Sequence, residues 1–208
     1  MSDTLDKRLD QILPTISSDE FLKASGLGNE LAFHIFDYPP EEELQVRQHL
    51  TWLLDQLPRK RPGIRVAHVN LLDFLVNYLR ERGLLDKSFK MQAEKGNAAL
   101  LKALRGPLQE EKLAKAFEEF AKPSEHDLVL VSGVGSAYPL LRSHTLLNNL
   151  HPIMGSTPLV LFYPGRYDGT SLHLFGKSTI SASTTGNKQQ NPYYRAFRLI
   201  PEEQTHAH

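Results

Sequence analysis

Residues 128–150 read LVLVSGVGSAYPLLRSHTLLNNL, an apolar run that ends in two spaced glycines and gives way to a leucine-rich stretch opened by Pro139. LVLVS is apolar on both faces, the pattern of a parallel strand covered by helices on each side. A strand, a glycine turn and a helix in that order form the repeating unit of α/β sheets, and the same outline holds phosphate in many proteins. A phosphate loop of the G-x-x-x-x-G-K-[ST] kind needs a lysine for the terminal phosphates and a hydroxyl for magnesium. Gly133-Val134-Gly135-Ser136 lacks both the lysine and the second glycine at that spacing. The dinucleotide pattern G-x-G-x-x-G needs a third glycine where this chain has Tyr138. The glycines therefore read as a sharp turn off a buried strand, and the stretch sets the fold class without naming a ligand.

Working outward, the same unit recurs. LAFHIFD (31–37) is a strand stopped by Tyr38-Pro39-Pro40, and Glu41 to Glu43 place negative charge at the start of a helix lined by Val46, Leu50, Leu53, Leu54 and Leu57. Pro58 and the basic PRKRPG form a connection to a second strand, IRVAHV (64–69). Asn70 follows as an N-cap, Leu72, Leu75, Val76 and Leu79 form the next stripe, and Gly83 suits the position just past the helix. Helices over roughly 86–104 and from Pro107 onward are expected to pair as a hairpin. PLVLFYP (158–164) is a fourth strand, PGRYDGT a turn-rich loop, SLHLFG a fifth strand, and YYRAFRLI a last one before a polar tail. Residues 177–192 are polar and rich in Ser and Thr, the composition of a mobile loop. At the other end, Leu5, Leu9, Ile12 and Leu13 share one helical face that Pro14 should close.

These elements predict one α/β domain over 1–208 with a short helical lead at 1–30. Its core is a three-layer arrangement of a mainly parallel sheet with helices on both faces. The late strands lack intervening helices, so an antiparallel edge is expected.

Composition bounds the chemistry. The 208 residues contain no cysteine, which excludes disulfides, thiolate nucleophiles and cysteine-held metals. The N-terminus lacks the apolar core of a signal peptide, and no stretch approaches the roughly 20 apolar residues of a membrane span. A cytoplasmic protein is expected. Formal net charge is zero, yet residues 128–200 carry six basic side chains and one acid, Asp168. That local excess suits an anionic ligand or an acidic protein surface.

The candidate contacts lie in this basic segment. Arg142 and His144 follow the glycine turn, at the carboxyl edge of the sheet, where open α/β sheets bind ligands. Arg166, Tyr167 and Asp168 occupy the turn-rich loop after the fourth strand. An Asp beside an Arg is held ionised and makes a poor general base, whereas an Arg-Tyr pair is typical of interface anchors. The nine histidines are scattered, with no H-E-x-x-H cluster. No G-x-S-x-G elbow is present. Arg59 to Gly63 could touch phosphates, but a short basic loop without a docking motif is a weak nucleic-acid signal. No catalytic, cofactor or metal set emerges. Three readings stay open: a partner-binding module, a nucleotide- or nucleic-acid-binding module using residues 128–200, and, on the sheet-edge arginines alone, an enzyme acting on a small anionic substrate.

With SGVGSAYPLLRSHTLLNNL, PLVLFYPGRYDG, LHLFGK and YYRAFRL in place, and LAFHIFDYPP and IRVAHVNLLDFLVNYL before them, the chain resembles the BrxB family of bacterial BREX phage-defence systems. The resemblance implies a small cytoplasmic, non-enzymatic assembly component of a system that methylates host DNA and blocks phage replication. It implies a domain akin to P-loop ATPases without their nucleotide motifs. The implied partners are PglZ, the alkaline-phosphatase-like member, then the methyltransferase PglX and the ATPase BrxC. It supplies no catalytic residues, so Arg142, His144, Arg166, Tyr167 and Asp168 rest on the residues alone.

Overall fold

A computed structural model describes residues 2–23, 33–141, 143–169, 171–176 and 196–201. Its centre is a sheet of strands β1 (Phe33–Tyr38), β2 (Val66–Asn70), β3 (Leu128–Ser132), β4 (Leu159–Tyr167) and β6 (Ala196–Arg198), in the order β2-β3-β4-β1-β6. Every neighbouring pair in that row is parallel. The short β5 (Leu172–Leu174) pairs with β4 outside the row.

The order dictates where helices go. From β1 the chain moves past two strands to β2, then returns through β3 and β4. Right-handed crossovers in opposite directions must place their helices on opposite faces. Accordingly α4 (Glu43–Lys60), which follows β1, buries Val46, Leu50, Leu53 and Leu57 against Phe36, Leu128, Leu130, Val160 and Phe162. Helices α1 (Ser2–Asp10) and α2 (Ile12–Ile16) add Leu5, Leu9, Ile12 and Ile16 to the same layer. On the other face α5 (Leu71–Glu81), α7 (Glu110–Ala121) and α9 (Ser143–Met154) pack Phe74, Leu75, Phe117 and Leu150 against Phe33, Ile35, Val129, Val131 and Leu161. Alternate residues of β3 enter different cores, and all five are buried, as a strand covered on both faces requires.

The antiparallel pair exists, but not at the edge. β6 runs parallel to β1, with Phe33 opposite Ala196. β4 is longer than its neighbours: Tyr38 pairs with Pro164, and Gly165, Arg166 and Tyr167 project beyond. β5 folds back on this overhang, Gly165 facing Leu174 and Tyr167 facing Leu172. PGRY is thus strand, and the turn falls between Tyr167 and Leu172. The mobile-loop expectation for 177–192 falls outside the described residues.

Four prolines act differently from expectation. Pro14 lies inside α2, where the missing N–H is harmless because first-turn N–H groups have no intrahelical acceptor. Pro58 lies inside α4, whose last turn is still closed by Arg61 N–H donating to Leu57 O at 2.9 Å. Pro107 does not open α7; its carbonyl accepts from Tyr78 Oη at 2.8 Å. Pro139 does not open a helix either. A single turn, α8 (Val134–Ala137), follows Gly133, Tyr138 is extended as a residue before proline prefers, and α9 begins at Ser143. The expected helical hairpin is also absent. α6 (Leu85–Leu104) buries only Ser88 and Leu104 along its length and breaks at Gly96, so α7 packs on α9 instead.

Candidate interaction surface at the carboxyl edge of the sheet

The chain leaves β1 toward one face and β3 toward the other, so the carboxyl edge is where an open α/β sheet places its ligand crevice. Side chains of this protein close it. Arg47 of α4 donates from Nη2 to Ser136 Oγ of α8 at 3.0 Å, joining the two layers. Glu43 holds Arg47 Nε at 2.8 Å and accepts from Tyr38 Oη at 2.5 Å. Burial, with Glu43 alongside, pushes the Tyr38 phenol above its ordinary value.

The glycine turn is fixed by what it touches. Asn70 caps α5 through bonds from Leu72 N–H at 3.0 Å and Asp73 N–H at 3.3 Å. Gly133, at φ +75°, lies so near that a Cβ there would meet Asn70 Oδ1 at 2.6 Å. Gly135 lies under the Phe175 and Pro164 rings, which a Cβ would meet at 3.1–3.2 Å. Its open side is therefore covered by two rings. Phe175 itself has φ +53°, an outlier for a bulky residue that costs on the order of 1–3 kcal/mol. The residue is 43 % exposed, and its ring meets exposed Tyr138 edge-on, centroids 6.3 Å apart.

The sequence-derived contacts separate here. Arg166 is exposed on the overhang, opposite His173, and makes no hydrogen bond or ion pair among the described residues. Asp168 pairs with His173, not with Arg166: Oδ2 accepts from His173 Nε2 at 2.9 Å, and Oδ1 from Ser171 N–H at 2.6 Å. Tyr167 corrects the expectation of an interface anchor. It is only 1 % exposed, and its hydroxyl donates to Ala196 O at 2.7 Å and Gly169 O at 2.9 Å. Burial, then Asp168, raises its phenol above the ordinary value. Arg142 lies outside the described residues, and so does the side chain of His144, whose backbone is in the first turn of α9.

Beneath the overhang lies a cluster that the sequence reading missed. Asp37, 2 % exposed near the end of β1, accepts from Arg8 Nη2 at 2.9 Å, Arg198 Nη2 at 3.0 Å and Tyr167 N–H at 2.9 Å. Arg198 also bonds Tyr167 O, and Arg8 lies 4.8 Å over the Phe36 ring. One carboxylate thus ties α1, β4 and β6 to β1. Its signal was visible: an Asp inside the apolar run FHIFDY must be paired if the strand is buried.

One pair has the outline of catalysis. His68 Nε2, in the middle of β2, lies 2.9 Å from Ser132 Oγ at the end of β3, and desolvation holds the imidazole below its ordinary value, partly offset by Asp73. Ser132 is 7 % exposed, however, and a nucleophile needs substrate access. Among the described residues no three His, Asp or Glu side chains gather as a metal site, and no helix is long and apolar enough to cross a membrane.

Comparison with known proteins agrees with the late segments that carry the resemblance. The family model described as BREX protein BrxB matches residues 67–199, from β2 through the glycine turn and the β4–β5 overhang. A BREX protein BrxB of Escherichia coli O9:H4 (strain HS) is 40 % identical over 198 residues, covering 95 % of this chain and 92 % of that one. Another, of Bacillus cereus (strain H3081.97), is 38 % identical over 200 residues, covering 94 % and 97 %. No solved structure matches. The chain belongs to the BrxB family, and with it to the components of BREX systems.

Proposed function

We propose that this protein is a non-enzymatic assembly component of a BREX phage-restriction system in the cytoplasm. It binds a PglZ-type alkaline-phosphatase-like protein and supports host DNA methylation and phage exclusion, with PglX-type and BrxC-type proteins as further partners. The observation that carries this reading is the state of the carboxyl edge. Where an open α/β sheet usually keeps a ligand crevice, Phe175 and Pro164 cover Gly135, Arg47 bridges to Ser136, and Arg166 on the β4 overhang is exposed without a partner among the described residues. The kinship to P-loop-type domains belongs to the same proposal, as a sheet whose glycine turn has become a packing site.

Co-purification tests the reading. The tagged protein, expressed with the whole BREX system at modest salt, is expected to bring down the PglZ-type protein, and tagging that protein should recover this one. Recovery in neither direction would refute direct partnership. A nucleotide module predicts thermal stabilisation by ATP or GTP; the assembly reading predicts none.

A further inference from the structure

We infer that the β4–β5 overhang and the α8 turn form one docking surface, and that it takes an acidic segment of a partner protein carrying an apolar side chain beside its carboxylate. The inference rests on the assembly reading above and adds the surface and the chemistry of what it binds.

Two features meet there. The first is apolar: Tyr138 and Phe175 are 48 % and 43 % exposed and stack edge-on, so together they offer an aromatic ledge to solvent. Phe175 is held there by its N–H donating to Pro164 O at 3.1 Å, in a left-handed backbone that a phenylalanine does not adopt unaided. Partly exposed aromatics on a rigid support are the residue type that anchors protein interfaces.

The second is charge, and hydrogen-bond accounting gives its sign. Glu43 and Asp168, the carboxylates bonded into this surface, are both committed internally. Glu43 bonds Arg47 Nε with one oxygen and Tyr38 Oη with the other. Asp168 bonds Ser171 N–H with one and His173 Nε2 with the other. Arg47 is matched by Glu43 and Ser136. Arg166 alone of these groups is exposed and unmatched among the described residues. It shares its side of β4 with Pro164, which touches the same glycine as Phe175, so cation and ledge are adjacent. A planar guanidinium with all its donors free fits a carboxylate in a two-point contact. The ledge beside it fits an aliphatic or aromatic neighbour of that carboxylate.

The surface is also held in place. Asp37 grips Tyr167 N–H, Arg198 Nη2 holds Tyr167 O, and Gly165 lets β5 approach so closely that a Cβ there would meet His173 O at 2.2 Å. The hairpin is thus presented in one geometry, which lowers the ordering cost of binding.

The test uses the full-length tagged chain in cells expressing the whole BREX system. The variants are Arg166→Glu, Tyr138→Ser and Phe175→Ser, with Phe89→Ser on α6 as a control for an exposed aromatic elsewhere. Arg166→Glu alters an exposed group and leaves the melting temperature unchanged, so it remains informative if Phe175→Ser loosens the hairpin. Wild type and Phe89→Ser are expected to recover the partner equally. Each surface variant should recover it about tenfold less at equal expression. A photo-crosslinking phenylalanine at position 138 should capture a partner peptide containing Asp or Glu. Wild-type recovery retained by Arg166→Glu would overturn the surface while leaving the assembly reading intact. Recovery of no BREX protein by wild type would overturn both. A crosslink to a second copy of this chain, to nucleic acid or to a basic peptide would overturn the partner chemistry.

Discussion

At Asp37 a carboxylate 3 % exposed faces two guanidinium groups whose side chains are 9 % and 25 % exposed. Removing one partner of such a cluster leaves uncompensated buried charge, so Asp37→Ala should destabilise by about 3–5 kcal/mol, read as a lower midpoint in urea unfolding. Replacing all three members, as Arg8→Met, Asp37→Leu and Arg198→Met together, should recover a large part of that loss because no charge stays unpaired. If the triple variant is no more stable than Asp37→Ala, the cluster matters through the bond to Tyr167 N–H instead. Tyr167→Phe tests the neighbouring contact. It removes the single proton that the hydroxyl shares between the Ala196 and Gly169 carbonyls, and about 1–3 kcal/mol should be lost with little effect on partner recovery. Tyr167 shows why residue type alone misleads: Arg-Tyr in a turn reads as an anchor, but strand alternation turns Arg166 outward and Tyr167 into the core.

Among the elements, the β4–β5 hairpin depends on Gly165. A Cβ there would overlap a backbone carbonyl, which cannot swing aside as a flexible side chain would. Gly165→Ala should therefore separate β5 from β4 at a cost of roughly 1–3 kcal/mol, with faster proteolysis between Tyr167 and Leu172. An unchanged cleavage pattern would show that the strands accommodate the methyl group. Most elements were legible from period and punctuation. β3 begins and ends where LVLVS does, Asn70 caps α5, and Gly83 follows it in a left-handed conformation. The misreadings share a cause. Pro14, Pro58, Pro107 and Pro139 were read as boundaries, but Pro14 sits in a first turn where an N–H has no intrahelical acceptor, Pro58 is carried near the C-terminal end of α4, and Pro107 and Pro139 precede α7 and α9 without opening them, so each depends on where the helix already is. The late strands were read as antiparallel because no helix separates them, while the overhang of β4, which gives β5 its place, exists only in register with β1.

For the molecule as a whole, two imidazoles tie stability to pH. His49, beside Trp52, and His68 are both held below the ordinary value by desolvation; His68 is exposed on β2 and so contributes the smaller part, whereas His49 Nε2 is buried without a polar partner among the described residues. The unfolded chain therefore takes up protons on these groups before the folded one does. Stability should be full above about 6.5, the unfolded imidazole value, and should decline as pH falls below it. A lower melting temperature at pH 5.5 than at pH 7.5 is expected, with the difference reduced in His49→Gln/His68→Gln. An equal drop in that double variant would assign the effect to other groups.

The sequence by itself determined the α/β class, the parallel core strands, the N-cap at Asn70 and the family, because those are written in local period, turn chemistry and contiguous segments. It also determined that the glycine turn has no phosphate-binding lysine. Only the tertiary structure decided that Phe175 covers this turn, that Arg166 is exposed while Tyr167 is buried, and that Asp37 joins residues 29 and 161 positions away. Such contacts are set by strand order and register, which bring distant side chains within reach and leave no mark on the spacing of either partner.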